Sequence, residues 1–200
     1  MTPEVVPYSL GQSANTMYPE RAATCAWHLG SLMISSHQRL THHFTASGLV
    51  IEQEHILLVN HKRIGAWVPP GGHIEVDELP DETVVREIQE ETGLTVEIIS
   101  TPSPKTGDPE AFFLHNPVYV QSVLAIEGGE RFYHVDLAYL CRPVQASEKG
   151  SLPLLNSSPE VKESRWVRVS EVDKMPLAKN VREALDFLLA NQTLMNALKR

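Results

Sequence analysis

Between Gly72 and Leu94 the chain gathers carboxylates at Glu78, Glu82, Glu87, Glu90 and Glu91, bounded by Gly72 and Gly93. Pro80 suits a first-turn position, where its missing N–H would be an orphan anyway; Asp81 and Glu82 favour the positive end of the helix dipole, and Gly93 suits a left-handed residue after the last turn. The spacing predicts a helix from about Pro80 to Thr92. At roughly 100° per residue, Val84, Val85 and Ile88 form an apolar stripe, while Glu87, Glu90 and Glu91 crowd a neighbouring face. Like charges so placed repel by about 0.2–0.5 kcal/mol per pair on an exposed helix, and by more when partly buried. Hard divalent cations such as Mg²⁺ relieve that repulsion, take oxygen ligands and leave positions for water and substrate phosphate. Arg86, beside Glu87 and four residues before Glu90, stands close enough to orient a carboxylate. Taken alone, the string Arg-Glu-Ile-Gln-Glu-Glu is as readable as a solvated acidic face.

The longer stretch is more specific. Gly72, Glu78, Arg86, Glu87, Ile88, Glu90, Glu91, Gly93 and Leu94 fill every fixed position of the pattern G-x5-E-x7-R-E-U-x-E-E-x-G-U, where U is a bulky aliphatic. This resembles the Nudix box, and the preceding Trp67 to His73 is similar to the segment that leads into it. The resemblance implies an α/β (α+β) Nudix fold, a mixed β-sheet sandwiched between helices, here with an N-terminal helical extension. It also implies a metal-dependent pyrophosphohydrolase that cleaves the diphosphate linkage of a nucleoside diphosphate derivative (ADP-ribose-like, dinucleotide or nucleoside triphosphate) by attack of a metal-activated water. Carried over position by position, Glu87, Glu90 and Glu91 are expected as ligands of Mg²⁺ or Mn²⁺, Gly72 as a backbone-carbonyl ligand, Arg86 as the orienting residue and Glu78 as an auxiliary acid. Glu87 is the first choice of base. The alternative is a non-catalytic nucleotide-sensing Nudix domain, which need not retain every ligand.

Two hundred residues, 42% of them hydrophobic, can bury a sizeable core. We expect an arm and helix over residues 1–40 and one Nudix hydrolase domain over 41–200. Seventeen basic against 25 acidic residues give a net charge of −8, and no Lys/Arg cluster is dense enough to track a polyanion, so long nucleic acid is an unsuitable partner. A small nucleotide-type substrate stays admissible, because a bound divalent ion inverts the local field. Cys25 and Cys141 have no CxxC spacing and read as buried free thiols of a reducing compartment. No run of 18 apolar residues occurs, so no membrane span is expected, and the localisation expected is cytoplasmic.

Around this centre the chain supplies strands and helices. Residues 1–18 read as an arm. Ala22, Ala26, Leu29 and Met33 then mark a helix that could pack on the sheet, cover a cleft or make a homodimer contact, with Trp27 as a packing anchor. His42 to Ile51 and His55 to His61 read as a hairpin across Glu52-Gln53-Glu54. Adjacent strand residues point to opposite faces, so His42 and His43 are expected in ordinary structural or surface roles rather than on one ion. Lys62 and Arg63, in the connection before the box, are candidates to meet substrate phosphate or to be solvated loop charges.

Thr95 to Ser100 is β-rich. In the loop that follows, Phe112 and Phe113 are candidates to stack a base or line a substrate pocket, with core burial preferred. Val118 to Ile126 and Arg131 to Cys141 flank Gly128-Gly129, a good two-residue turn. His134 and Asp136 share one face of the second strand, as cleft-lining groups or as a structural pair. Glu163 to Val169 gives a last strand; in Nudix-like proteins the loop before such a strand supplies an extra acid, and Glu160 and Glu163 are the candidates. Val181, Ala184, Leu185 and Leu188 mark a final amphipathic helix.

Overall fold

Strand β1 (His42–Glu52) turns alternate side chains into two apolar layers, and the sheet grows outward from it. The computed structural model describes residues 40–99, 106–127, 129–144, 151–156, 158–191 and 196. The expected N-terminal helix, with Cys25 and Trp27, lies outside the described residues.

β2 (His55–His61) returns antiparallel to β1, with Glu52 opposite His55. The turn needs only Gln53 and Glu54, at φ 46° and 61°, the mirror-image geometry that matches strand twist. β2 also carries the short β3 (Trp67–Val68) and β8 (Val161–Arg168), both antiparallel. β1 pairs antiparallel with β4 (Gly71–His73) and parallel with β7 (Glu130–Pro143). β7 in turn takes β5 (Val96–Ile98) and β6 (Tyr119–Glu127), both antiparallel. Glu127 lies opposite Glu130 at the end of the β6–β7 ladder, while Gly128 of the expected turn lies outside the described residues. Among the described residues the result is a mixed eight-stranded sheet.

Two helices cover opposite faces, as the resemblance implies. Ala46 and Val50 of β1, with Leu57, Tyr139 and Cys141, bury Val84 and Ile88 of helix α1 (Pro80–Thr92). Leu49 and Ile51, with Ile56, Leu58 and Leu140, bury Val181, Leu185 and Leu188 of helix α2 (Lys179–Ala190). Each fully buried aliphatic side chain of this kind contributes about 1.5–3 kcal/mol. Gly48 lets α1 approach: a Cβ there would lie 2.4 Å from Ile88 Cδ1.

α1 has the bounds its sequence predicts. Pro80 occupies the first turn, the Leu79 N–H donates to Glu82 Oε2 at 3.0 Å, and Gly93 closes the helix at φ 75° with its N–H on the Gln89 carbonyl. β8 starts and stops earlier than expected, because Val169 begins a 3-10 helix (Val169–Lys174). One preference is corrected. Phe112 and Phe113 are 71% and 54% exposed rather than in the core. They belong to no strand or helix, and Pro109 and Pro117 flank a segment with no periodic apolar face to bury.

Candidate active site

Arg86 is the hub of α1's acidic face. Its Nε donates to Glu78 Oε1 at 2.7 Å and its Nη2 to Glu78 Oε2 at 2.9 Å, while Nη1 reaches Glu87 Oε1 at 2.9 Å and Glu90 Oε2 at 3.1 Å. Nη2 also donates to the His73 carbonyl at 3.3 Å, which ties the helix to β4. The Arg86 hydrogen bonds hold the Glu78 carboxyl down at about 2, and bonds from Thr83 Oγ1 and the Glu75 N–H assist against the opposing effect of burial. Glu78 in turn binds the guanidinium proton more firmly than usual.

β4 presses backbone against the same face. A Cβ on Gly72 would lie 2.2 Å from Glu87 Oε1, so only a glycine allows that carboxylate its place. The Gly71 N–H donates to Glu91 Oε2 at 3.0 Å, and Ser164 Oγ of β8 donates to the Glu91 carbonyl at 3.2 Å. Glu91 is only 2% exposed. Burial pushes its carboxyl up to about 8; the Gly71 bond opposes this, while Glu87, Glu160 and Glu90 add to it. Burial also raises Glu87, against Arg86 and with help from Glu90 and Glu160. The loop acid Glu160 therefore acts on the same spot as the helix carboxylates. Glu90 remains at the exposed rim.

The groups gathered here that could take a metal all offer oxygen: the Glu87, Glu90 and Glu91 carboxylates, the Glu160 loop carboxylate and the backbone at Gly72. Such groups suit a hard divalent cation. Glu87, Glu90 and Glu91 share one helix face, but Arg86 holds the first two to one side while Glu91 turns to Gly71.

Residues 41–188 match the family model described as the NUDIX domain. The chain belongs to the Nudix family. It is a hydrolase of phosphoric anhydride bonds. It is 27% identical over 141 residues to an uncharacterized Nudix hydrolase, YvcI, of Bacillus subtilis, a match covering 70% of this chain and 75% of that one. A putative 8-oxo-dGTP diphosphatase of the same organism is 38% identical over 77 residues, covering 35% of this chain and 52% of that relative. Among solved structures, a Nudix-family hydrolase from Clostridium perfringens superposes with a TM-score of 0.55 at 26% identity, over 73% of this chain and 97% of the other.

Around the Nudix box the remaining candidates are distributed unevenly. The Lys62 ammonium donates to the Pro159 carbonyl, and its N–H to the Glu160 carbonyl at 3.3 Å, so Lys62 steadies the acid-bearing loop. Arg63 is exposed in the adjoining turn. Glu163 pairs with Arg165 on the surface at 2.5 Å, an occupation separate from the box. Phe112 stands in an open groove along α1 with Glu78, Asp81, Arg86 and Gln89; Phe113 is exposed beside it in sequence.

His134 and Asp136 lie on the sheet face away from α1. The Asp136 carboxylate accepts from Thr45 Oγ1 at 3.0 Å, Ser47 Oγ at 2.9 Å and Gln121 Nε2 at 3.1 Å. Burial raises its pKa and these bonds oppose the rise. His42 stacks on Tyr133, whereas His43, on the opposite face, joins His73 and His134. The contributions of Gly71 and Thr83 to the box were likewise outside the sequence reading. The doubled glycine of Gly71-Gly72 hinted at the first; Thr83 offered no signal.

Proposed function

We propose that this Nudix hydrolase cleaves the diphosphate linkage of a nucleoside diphosphate derivative at the α1 face, with Glu87, Glu90, Glu91 and the Gly72 carbonyl holding Mg²⁺ or Mn²⁺. The observation that carries the reading is the burial of Glu91 beside Glu87 and Glu160, against a β4 backbone that only glycine permits. Three acids so placed repel one another, and the hard-oxygen donor set matches a divalent ion. When bound, such an ion neutralises diphosphate oxygens and acidifies water.

The chain's own residues then divide the work. Arg86 keeps Glu87 and Glu90 in register, and Glu78 fixes Arg86. Glu87 is the proposed base, drawing a proton from the attacking water; Glu160 is the second candidate, since the loop that carries it faces the same carboxylates. The groove beside Phe112 offers an aromatic ring for a nucleobase, with Phe113 next to it. The name of the Bacillus subtilis diphosphatase makes a nucleoside triphosphate one member of the substrate class to try, beside ADP-ribose and dinucleotides.

The test is a panel of these three compound types with Mg²⁺ or Mn²⁺ and product identification, run on wild type, Glu90→Gln and Glu160→Gln. Release of phosphorylated products by the wild type, lost in folded Glu90→Gln, supports the reading. Nucleotide-dependent thermal stabilisation without turnover across the panel would favour the sensing alternative.

A further inference from the structure

Three histidines from neighbouring strands meet on the sheet face turned away from α1. His43 of β1 lies directly opposite His134 of β7 in the parallel ladder. His73 of β4 lies opposite Thr45, two residues along β1 and therefore on His43's face. One ring nitrogen from each falls within 4.8 Å of the other two, and among the described residues this is the one set of His, Cys, Asp or Glu ligand atoms drawn together so closely. The rings are not stacked flat on one another. His73 and His134 meet edge to face, with centroids 4.9 Å apart and planes at 80°, and His43 is tilted to both. Phe132 backs the group, stacked on His43 at 4.3 Å and edge-on to His134 at 5.1 Å. The His134 Nε2 is enclosed from solvent, while His43 is exposed.

We propose that His43, His73 and His134 form a second metal site, for a zinc-class divalent transition ion. Asp136, next along the face, already accepts from Thr45, Ser47 and Gln121, so the donors are three imidazoles. Imidazole nitrogen suits Zn²⁺ and its transition-metal neighbours, whereas Mg²⁺ demands oxygen. Tetrahedral zinc, with Zn–N of about 2.0–2.1 Å, needs nitrogens about 3.3 Å apart. The widest permitted separation here closes to that by about 1.5 Å of side-chain movement. Three protein ligands leave a fourth position open toward the exposed His43 side, for water or a small anion. The ion also clips β1, β4 and β7 together one residue from Gly72, whose backbone backs Glu87.

This site is independent of the proposed substrate reading, and its test needs no turnover. The full chain is titrated with Zn²⁺ in a calorimeter, with excess Mg²⁺ present to occupy the oxygen donors, and Co²⁺ replaces Zn²⁺ for a visible-absorption readout. One equivalent of Zn²⁺ is expected, with an intense low-coordinate Co²⁺ band. His43→Gln and His73→Gln should each weaken binding about 100-fold, because each removes one of three ligands, while Glu90→Gln leaves it unchanged. Circular dichroism of the metal-free variants checks folding, and His43→Gln, at an exposed strand start, carries the smaller risk. Zn²⁺ binding equal in the wild type and the folded histidine variants overturns the proposal. So does binding lost in Glu90→Gln alone, or no binding at all, which would leave an aromatic packing cluster.

Discussion

The Arg86 guanidinium and the Glu78 carboxylate form a two-pronged ion pair, Nε on Oε1 and Nη2 on Oε2, and this leaves Nη1 free to span Glu87 and Glu90. A lysine ammonium cannot reproduce that fork. Arg86→Lys should therefore fold but lose about 10–100-fold in kcat, with a smaller change in KM, since it disorders the carboxylates rather than removing one. Glu78→Gln should act in the same direction and less strongly. Steady-state kinetics on the cleaved substrate decide; a KM increase with kcat intact would mean that Arg86 binds substrate directly.

Two glycines separate positioning from packing. Gly72→Ala drives a methyl into the Glu87 carboxylate, the movable end of a side chain, and should lower kcat and divalent-ion affinity by tenfold or more with little change in Tm. Gly48→Ala drives one into Ile88 under α1, and overpacking of that kind costs about 1–3 kcal/mol. It should lower Tm while the residual folded enzyme keeps its ion affinity. Paired thermal melts and Mn²⁺ titrations of both variants check the contrast; equal Tm losses would put Gly72 in the same structural class as Gly48.

What could be read without coordinates was local. The first-turn proline, the Val84 and Ile88 stripe and Gly93 lie within one short window, and α1 has the bounds they predict. The β1–β2 hairpin followed from one apolar run on each side of a polar turn. Long-range pairing was not legible. The meeting of His43 with His134 depends on a parallel ladder between strands separated by half the chain, and that of His43 with His73 on β4, a three-residue strand after Pro69-Pro70 that has no periodicity to reveal it. Phe112 and Phe113 misled for a related reason. Apolar side chains outside a periodic element have no partner layer waiting for them, so hydrophobicity alone did not bury them.

Cys141 is a free thiol sealed between β7 and α1. Burial pushes it up to about 12, and the thiolate is the reactive form. Iodoacetamide at pH 8 should therefore leave Cys141 unmodified in the native protein and label it fully in 6 M guanidinium, with peptide mass spectrometry as the readout. Rapid native labelling at Cys141 would show that the β7–α1 layer opens on the timescale of the reaction.

Glu91 gives the site a pH signature. Below about pH 4.5, its ordinary value, the carboxyl is protonated in folded and unfolded chains alike and does not affect their balance. Between there and about 8 the unfolded chain gives up the proton while the folded one retains it, so stability falls as pH rises through that window and levels off above it. At about 1.36 kcal/mol per unit, and after relaxation of the site, an effect on the order of 2–4 kcal/mol is expected in chelator. Glu91→Gln keeps the shape and cannot ionise. It should be more stable than the wild type at pH 8 in EDTA, with most of that advantage gone at pH 5. Added Mg²⁺ should narrow or reverse the difference at pH 8, because the ionised wild type, with one more carboxylate ligand, gains more from an ion that binds the native state. Urea melts at pH 5, 6.5 and 8, with EDTA and with Mg²⁺, check this. An advantage for glutamine that is the same at every pH would trace the destabilisation to packing around Glu91 instead of its charge.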